Sequence, residues 1–199
     1  MKGRLENMGF ERISKETWLS TQVEHFECEN DNYESIILPS RGTNRSAGYD
    51  FRSPFEIIVS PDVEYVMPTG IKWNPEGSHL LVKNITYERS THIGCVRKAD
   101  IVYNVDQELK SFNVVLQMYP RSSLGMKYGF TFLNTTPIID ADYYNNPGNE
   151  GHIFIGFKCS KEFTIHQGDK ICQAIMIPYL TFGEGVDRER TGGIGSTGN

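Results

Sequence analysis

The chain consists of short runs rich in β-branched and aromatic residues, and turn-forming residues separate them. Such runs occupy residues 35–38, 55–59, 80–82, 112–118, 153–157 and 171–177. Gly, Pro and Asn lie between the runs, whereas apolar residues at helical spacing are scarce. Many short strands with turn signals between them are typical of an antiparallel barrel or sandwich. The sequence therefore predicts an all-β fold with few short helices.

The length of 199 residues suits one domain with additions. Residues 1–34 are predicted to form an N-terminal extension, with one or two short helices near Trp18. Residues 35–182 carry the β-rich runs and form the predicted β domain. Within them, residues 76–111 are more polar, which indicates an insertion in the sheet. Residues 183–199 form a predicted C-terminal lid.

Composition excludes several classes of function. A net charge of −5 argues against a broad surface for duplex nucleic acid. No apolar run approaches the roughly 20 residues of a membrane span. The four cysteines contain no CxxC pair, and no signal-like apolar stretch opens the chain. We therefore expect a cytoplasmic protein with free thiols, in which Cys172 is a core residue.

The last nine residues before the terminal Asn, from Arg190 to Gly198, include four glycines and almost no apolar side chains. Taken alone, this composition favours a disordered polar tail. It is also the composition of an oxyanion-binding segment, because glycine lets successive N–H groups converge while hydroxyls and a guanidinium add donors. The motifs upstream favour the second interpretation.

Two of these motifs combine small residues with charged or hydroxyl side chains. Residues 46–50 end in Asp50, which either caps a tight turn entering a strand or serves a ligand. In the second motif, Pro120 ends a strand and Arg121 precedes Ser122 and Ser123. A guanidinium beside two hydroxyls suits a phosphate group. The same serines could cap a helix N-terminus, and the two interpretations are compatible.

The third motif, residues 134–144, contains two carboxylates. On an extended chain Asp140 and Asp142 would point to one side and Tyr143 to the other. One of two such acids can act as a base while the other accepts structural hydrogen bonds. The alternative is a polar hairpin whose acids bind turn amides.

The fourth motif, residues 168–178, leads from a Gly-Asp turn into an apolar strand interrupted by Gln173. A buried amide must find partners, so Gln173 either bonds to nearby backbone or contacts a ligand. In this order, the four motifs and the tail resemble the five motifs of the trimeric dUTPases. The resemblance extends over residues 47–198.

The resemblance implies a jelly-roll-like β-barrel that forms a homotrimer with shared active sites, over which the tail closes. It implies hydrolysis of the substrate dUTP to dUMP and pyrophosphate, assisted by Mg²⁺, in nucleotide metabolism. Asp140 would be the general base for the water that attacks the α-phosphate. Asp50 would hold a water of the Mg²⁺ shell, while the triphosphate binds the metal itself.

The resemblance also implies the remaining contacts. Asn134 would read the uracil edge, and the Tyr143 ring would fill the space of a 2′-hydroxyl. The phosphate-binding residues would be Arg121, Ser122, Ser123, Gln173, Arg190, Ser196 and Thr197. The uracil and deoxyribose contacts would be Asn134, Ile139, Tyr143 and Ile194. Ile194 stands where the family usually has a Phe that stacks on uracil.

Two alternatives belong to other functions. The run that begins at Arg121 also resembles dCTP deaminases, but Gly156 stands where those enzymes have a proton-shuttling Glu. A regulatory module of the same fold is the second alternative, because some viral and phage dUTPase-like proteins bind partner proteins. The segment 76–111 offers a surface for such a partner, alone or in addition to catalysis.

Replacing Ile194 with Phe is expected to tighten nucleotide binding about two- to tenfold, because a ring stacked on uracil adds a favourable aromatic contact. Titration of a non-hydrolysable dUTP analogue into both proteins measures the change. Unchanged or weaker binding would contradict the placement of Ile194 over the base.

Overall fold

The computed structural model describes residues 9–21, 30–75, 87–88, 98–99 and 113–180. In this part of the chain the strands are β1 (Phe10–Arg12), β2 (Ser40–Arg41), β3 (Tyr49–Arg52), β4 (Ile57–Val59), β5 (Tyr65–Pro68), β6 (Ile71–Trp73), β7 (Tyr87–Glu88), β8 (Lys98–Ala99), β9 (Asn113–Pro120), β10 (Thr131–Phe132), β11 (Ile138–Ile139), β12 (Phe154–Lys158), β13 (Phe163–Ile165) and β14 (Lys170–Tyr179). The helices are α1 (Lys15–Ser20) and α2 (Ser122–Tyr128), with 3₁₀ turns at Asn30–Ser35 and Ala141–Tyr143. The predicted all-β fold is confirmed.

Strand β14 is central to the largest sheet, whose order is β11-β9-β14-β3-β2. It pairs antiparallel with β9 from Cys172 to Tyr179 and with β3 on its other side, with a bulge near its start. A second sheet has the order β10-β12-β5, and β1-β6, β13-β4 and β7-β8 form two-stranded pairs. Within the described residues, β14 is the longest strand.

The core lies beneath these sheets and is rich in aromatic rings. Phe157 stacks on Tyr65 at 5.4 Å and on Phe130 at 4.8 Å between ring centroids. Because alternate residues of a strand face one side, Ile155 and Phe157 of β12 both enter this core. Neither α1 nor α2, in the part of the chain described here, has the length and apolar character to cross a membrane.

The longer predicted strands are confirmed at 112–118, 153–157 and 171–177, as β9, β12 and β14. Only the second half of 55–59 forms a strand, β4. The prediction of a strand at 35–38 is wrong. A 3₁₀ turn ends at Ser35, where the Ile36 N–H donates to the Tyr33 carbonyl, and Ile36 is buried without a ladder partner. Residues 80–82 lie outside the described residues.

The N-terminal residues described here belong to the same core as the sheets. Strand β1 pairs with β6, and Phe10, Ile13 and Trp18 are all core residues. The predicted short helix near Trp18 is confirmed as α1, which begins where the Ser14 hydroxyl accepts from the Thr17 N–H. This side-chain bond satisfies a backbone donor that the first turn leaves without a partner.

Cys172 is fully buried and unpaired, as the sequence predicts. Burial raises the pKa of its thiol, and it raises the pKa of the buried Cys159 thiol to about 11. Both side chains are therefore protonated at neutral pH. Most of the predicted insertion 76–111 and the whole lid 183–199 lie outside the described residues, apart from the β7-β8 pair.

His152 is a polar residue inside the core. Its Nε2 accepts from the Gly70 N–H at 2.9 Å, so the neutral ring carries its proton on Nδ1. Phe154 contacts the ring at 4.2 Å between centroids. Burial lowers the pKa of His152 to about 4, while the charge of Glu150 acts weakly in the other direction. In the folded protein the His152 side chain is therefore neutral at neutral pH.

This buried imidazole predicts an acid-sensitive fold. Between pH 6.5 and pH 4 the unfolded chain takes up a proton at His152 that the folded chain does not, so stability falls as pH falls. We expect the free energy of unfolding to drop by about 2 kcal/mol from pH 7 to pH 5. Urea denaturation at both pH values measures the difference.

His152→Gln should flatten this dependence because its side chain does not titrate. His166→Gln is the control, since His166 is exposed and bonds to Glu56, which raises its pKa instead. If the free energy of unfolding fell equally in the wild type and in His152→Gln, the acid sensitivity would come from other groups.

Candidate functional site

The face of the sheet around Asp50 gathers the motifs that the sequence analysis selects for phosphate. Asp50 on β3 lies opposite Gln173 on β14, and Gln173 lies opposite Tyr119 on β9. Residues directly opposite in an antiparallel pair point to the same face of a sheet. Arg121 follows the end of β9, so its side chain lies beside this row. Three separate motifs therefore meet at one place.

The charges at this place are nearly balanced. Asp50 is 9% exposed, and its Oδ2 accepts from the Lys170 Nζ at 2.7 Å. Its Oδ1 lies 3.9 Å from the Arg121 Nε. One carboxylate between two cations leaves a surplus of one positive charge. We call Asp50, Arg121, Lys170 and Gln173 the cationic cluster.

Arg121 also begins helix α2. Its carbonyl accepts from the N–H groups of Leu124 and Gly125, while its side chain makes no capping bond. Ser122 and Ser123 stand exposed in the first turn. The guanidinium and both hydroxyls thus lie at one end of the cluster, where an anion can reach them.

The Gln173 side chain occupies space that is open because Gly48 has no side chain. A Cβ built on Gly48 would overlap the Gln173 Oε1 and come within 3.2 Å of the Gln173 Cβ. Only glycine allows this close approach of the amide to the backbone before β3. The small residue in the motif 46–50 therefore serves the cluster through packing.

A cavity of about 410 Å³ adjoins the cluster. Three cations line it, Arg52, Arg121 and Lys170, and Asp169 adds one acid. Its wall includes the rings of Tyr128 and Phe163, which stack at 4.0 Å between centroids. The cluster therefore opens to solvent through a predominantly basic entrance.

The third motif lies on a different part of the sheet. Ile139 on β11 pairs with Leu116 of β9, and Asp140 follows it at the surface. Asn134 is exposed in the turn before β11, where its carbonyl accepts from the Thr136 N–H at 2.6 Å. Asn134, Ile139 and Asp140 thus belong to one continuous segment.

The prediction that Asp140 and Asp142 share one face of an extended chain is wrong. The Tyr143 N–H donates to the Asp140 carbonyl at 3.1 Å, which closes a 3₁₀ turn over Ala141–Tyr143. The period of two residues that would align the carboxylates applies only to an extended chain. Both carboxylates are exposed.

Tyr143 is 7% exposed and is held by the loop that follows it. Its hydroxyl donates to the His152 carbonyl at 2.9 Å and accepts from the Asn149 amide at 2.8 Å. Both hydrogen-bonding functions of the phenol are therefore used within the protein. The role of the ring against a deoxyribose stays a prediction.

The cationic cluster and the segment around Asp140 are far apart within one chain. Asp140 follows the residue that pairs with Leu116, whereas Gln173 pairs with Tyr119 and Arg121 follows the strand. Leu116 and Arg121 are separated by about 16 Å of extended chain. The structure thus brings together Asp50, Arg121 and Gln173, but not these residues and Asp140.

Lys170 is a member of the cluster that no sequence motif pointed to, although it lies closer to Asp50 than Arg121 does. Lys170 follows the Gly168–Asp169 turn, where a lysine has no visible signal of function. Its partner lies 120 residues away in the chain, so only the pairing of β14 with β3 reveals the contact.

The remaining predicted contacts are in the tail. Arg190, Ile194, Ser196 and Thr197 all lie outside the described residues. Within the described residues, no three His, Cys, Asp or Glu side chains converge as a metal-ligand set.

Comparison with known proteins gives one consistent result. The dUTPase family model matches residues 80–198. The deoxyuridine 5′-triphosphate nucleotidohydrolase of Lactococcus lactis subsp. lactis is 31% identical over 168 residues, which span 82% of this chain and 89% of that protein. That of Dinoroseobacter shibae is 37% identical over 180 residues, 83% and 90% of the two chains.

The solved structure of the dUTPase from Streptococcus mutans is similar to this fold, with a TM-score of 0.54 and 26% identity. The superposition covers 88% of this chain and 99% of that one.

Replacing Gly48 with Ala is expected to weaken the affinity of the protein for pyrophosphate about tenfold. The new Cβ displaces the Gln173 amide, and the loss of one hydrogen bond to a charged group is worth about that factor. Calorimetric titration with pyrophosphate measures the affinity.

Gly42→Ala is the matched control, because its Cβ would lie 3.9 Å from the Asp50 Oδ2, an ordinary contact. Equal pyrophosphate affinities in the Gly48→Ala and Gly42→Ala variants would show that the Gln173 amide does not contribute to anion binding.

Proposed function

This chain belongs to the dUTPase family and is a dUTP diphosphatase, and we propose that its site works with Asp140 as the general base. In this mechanism the Asp140 carboxylate accepts a proton from a water whose oxygen attacks the α-phosphorus of dUTP. The bond from that phosphorus to the α,β-bridging oxygen breaks, and pyrophosphate leaves. The exposure of Asp140 supports this role, since the water must reach it.

The cationic cluster is proposed to bind the phosphates. Arg121 supplies a planar pair of donors, Ser122 and Ser123 supply hydroxyls, and Gln173 supplies an amide. The surplus positive charge of the cluster supports this assignment, because it favours a polyanion. Arg190, Ser196 and Thr197 of the tail are proposed to complete the contacts to the distal phosphates.

The family implies a divalent metal, and the residues present fit Mg²⁺ in one specific way. Asp50 is a single carboxylate with a cation on each side, which suits a hydrogen bond to a metal-bound water better than direct ligation. Mg²⁺ on the triphosphate would neutralise charge on the phosphate oxygens. Lys170 holds the Asp50 carboxylate in place while the phosphates bind.

The segment 134–143 is proposed to form the nucleoside pocket. Asn134 would bind the uracil edge, and Ile139 and Ile194 would contact the base. The Tyr143 ring would lie against the deoxyribose. The buried and doubly bonded Tyr143 supports a rigid wall there, because a fixed ring excludes a 2′-hydroxyl more sharply than a mobile one.

The observation that carries this proposal is the separation of the two halves of the site. Within one chain Asp140 lies beside the middle of β9, next to the residue that pairs with Leu116, whereas Arg121 lies just beyond the end of that strand. A homotrimer in which neighbouring subunits contribute one half each would bring both to a single nucleotide. Oligomeric assembly belongs to the family, and the trimer with shared sites is the form proposed here.

Deamination of dCTP is the weaker candidate. Gly156 occupies the position of the proton-shuttling Glu, and even a Cβ there would come within 3.3 Å of Leu133. A carboxylate side chain at this position would require the Leu133 side chain to shift.

Complementation between two inactive variants tests the shared site. Asp140→Asn and Arg121→Ala should each reduce turnover of dUTP at least about 100-fold. Coexpressed in equal amounts, they should recover activity, because about a quarter of the sites in random trimers draw both halves from intact sequence. Each variant carries a different affinity tag, and assemblies that contain both tags are purified. Their rate of pyrophosphate release measures the recovery.

Coexpression of the Asp140→Asn variant with an Asn134→Ala variant is the matched control. Both changes affect the same half of the site, so no mixed site is intact. Absence of recovery in the first pair would place both halves in one chain. Normal hydrolysis by Asp140→Asn alone would remove Asp140 from the mechanism.

A further inference from the structure

The N-terminal segment, residues 9–21, is bound to the loop of residues 144–151, which follows the 3₁₀ turn Ala141–Tyr143. Glu150 of this loop is the main contact. Its carboxylate accepts from the Ser14 N–H at 3.0 Å and from the hydroxyls of Ser14 and Thr17. These partners lie more than 130 residues away in the chain. The first turn of α1 is thus held against the loop by three hydrogen bonds.

A second carboxylate makes the reciprocal contact. The Tyr144 hydroxyl donates its one hydrogen to the carboxylate of Glu11 on β1, and the hydroxyl oxygen lies 3.0 and 2.9 Å from the two carboxylate oxygens. Lys72 of β6, the partner strand of β1, joins both ends of the loop. Its Nζ lies 2.7 Å from the Asn145 Oδ1 and 3.3 Å from the Glu150 Oε2. Both ends of the loop, at Tyr144–Asn145 and at Glu150, therefore have partners in the β1-β6 pair or α1.

A contact between two buried rings supports the hydrogen bonds between α1 and the loop. Trp18 of α1 is buried, and its ring lies 6.2 Å from that of His152, just after the loop. Burial of an aromatic ring contributes more to docking than an exposed ion pair does. The helix is therefore anchored by its Trp and oriented by its first turn.

The charge of Glu150 is strongly stabilised. Burial acts to raise its pKa, but the bonds from Ser14, Thr17 and Lys72 outweigh it and lower the pKa to about 2. The carboxylate is thus fully ionised at neutral pH. A neutral amide at this position would lose the attraction of Lys72 and would present donors to two hydroxyls.

Hydrogen bonds within the loop connect Glu150 to Tyr143. The Asn145 N–H donates to the Glu150 carbonyl at 3.0 Å, and the Glu150 N–H donates to the Asn146 carbonyl at 2.9 Å. The Asn146 amide in turn donates to the Tyr143 carbonyl at 3.1 Å. Glu150 itself has a φ of 59°, a left-handed conformation that a non-glycine residue adopts at some cost. Its side-chain bonds to α1 offset that cost.

We propose that the N-terminal segment is a clamp that positions the nucleoside pocket, with Glu150 and Thr17 as its positioning residues. The inference rests on the proposed function, which places Tyr143 and Asp140 in that pocket. Neither Glu150 nor Thr17 touches the nucleotide in this scheme. They act by holding the loop whose amides and carbonyls fix the Tyr143 ring, and so they set the affinity for the nucleoside and the selectivity between nucleotides. Residues 9–21 lie outside the part of the chain that the family model matches.

Three variants separate the clamp from the stability of the fold. Thr17→Val removes the hydroxyl that bonds Glu150 and keeps the shape of the side chain, and the Ser14 cap of α1 is retained. Thr17→Ser restores the hydroxyl. Glu150→Gln removes the charge. Glu34→Gln is the matched control, because Glu34 pairs with Arg12 of the same N-terminal segment but does not contact the loop.

Steady-state kinetics is the first measurement. Thr17→Val and Glu150→Gln should raise KM for dUTP about three- to tenfold with kcat within about twofold, the effect of one lost hydrogen bond on binding. Their preference for dUTP over dTTP and UTP should fall. Thr17→Ser and Glu34→Gln should keep both values. A loss of thermal stability with unchanged KM and selectivity would show that the contacts are only structural and would overturn the proposal.

Hydrogen exchange of the Asn145 and Glu150 amides is the second measurement and needs no substrate. Faster exchange in Thr17→Val and Glu150→Gln, but not in Glu34→Gln, is expected. Unchanged exchange would mean that α1 does not hold the loop. Full hydrolysis by Asp140→Asn would instead refute the proposed function while leaving the exchange result intact, so the two failures are distinguishable.

Discussion

The pairing of β14 on both sides is the constraint on which the site depends. Because β14 is antiparallel to β9 and to β3, it places Gln173 between Tyr119 and Asp50 in one row. The same ladder sets the distance along β9 between this row and β11. Backbone hydrogen bonds in register leave little freedom to either position, since a shift by one residue would turn each side chain to the other face.

The two regions of the proposed site lie apart along β9, so in the proposed mechanism a single chain is an incomplete enzyme. The cationic cluster has charge and donors for an anion but lacks an unpaired carboxylate, because Lys170 and Arg121 flank Asp50. The segment around Asp140 has an exposed acid and a fixed aromatic ring. The proposed association of copies would bring the two regions together without longer loops, and hydrolysis would then depend on the oligomeric state.

The sequence predicted the three longest strands, β9, β12 and β14, and most of the cluster, for physical reasons. Strand runs such as 171–177 are recognisable because burial on both faces requires continuous apolar residues. The polar residues of the site stand out because an apolar strand rarely contains an amide such as Gln173. The 3₁₀ turn after Asp140 was not predicted, because an i to i+3 backbone bond overrides the alternation of an extended chain.

The sequence by itself determined the class of fold and the types of side chain that each motif offers, since these depend on local periodicity and composition. Only the tertiary structure decided which residues meet. The contacts of Lys170 with Asp50 and of Glu150 with Thr17 join positions 120 and 133 residues apart. Such contacts follow from strand order and packing, for which neither partner carries a local signal.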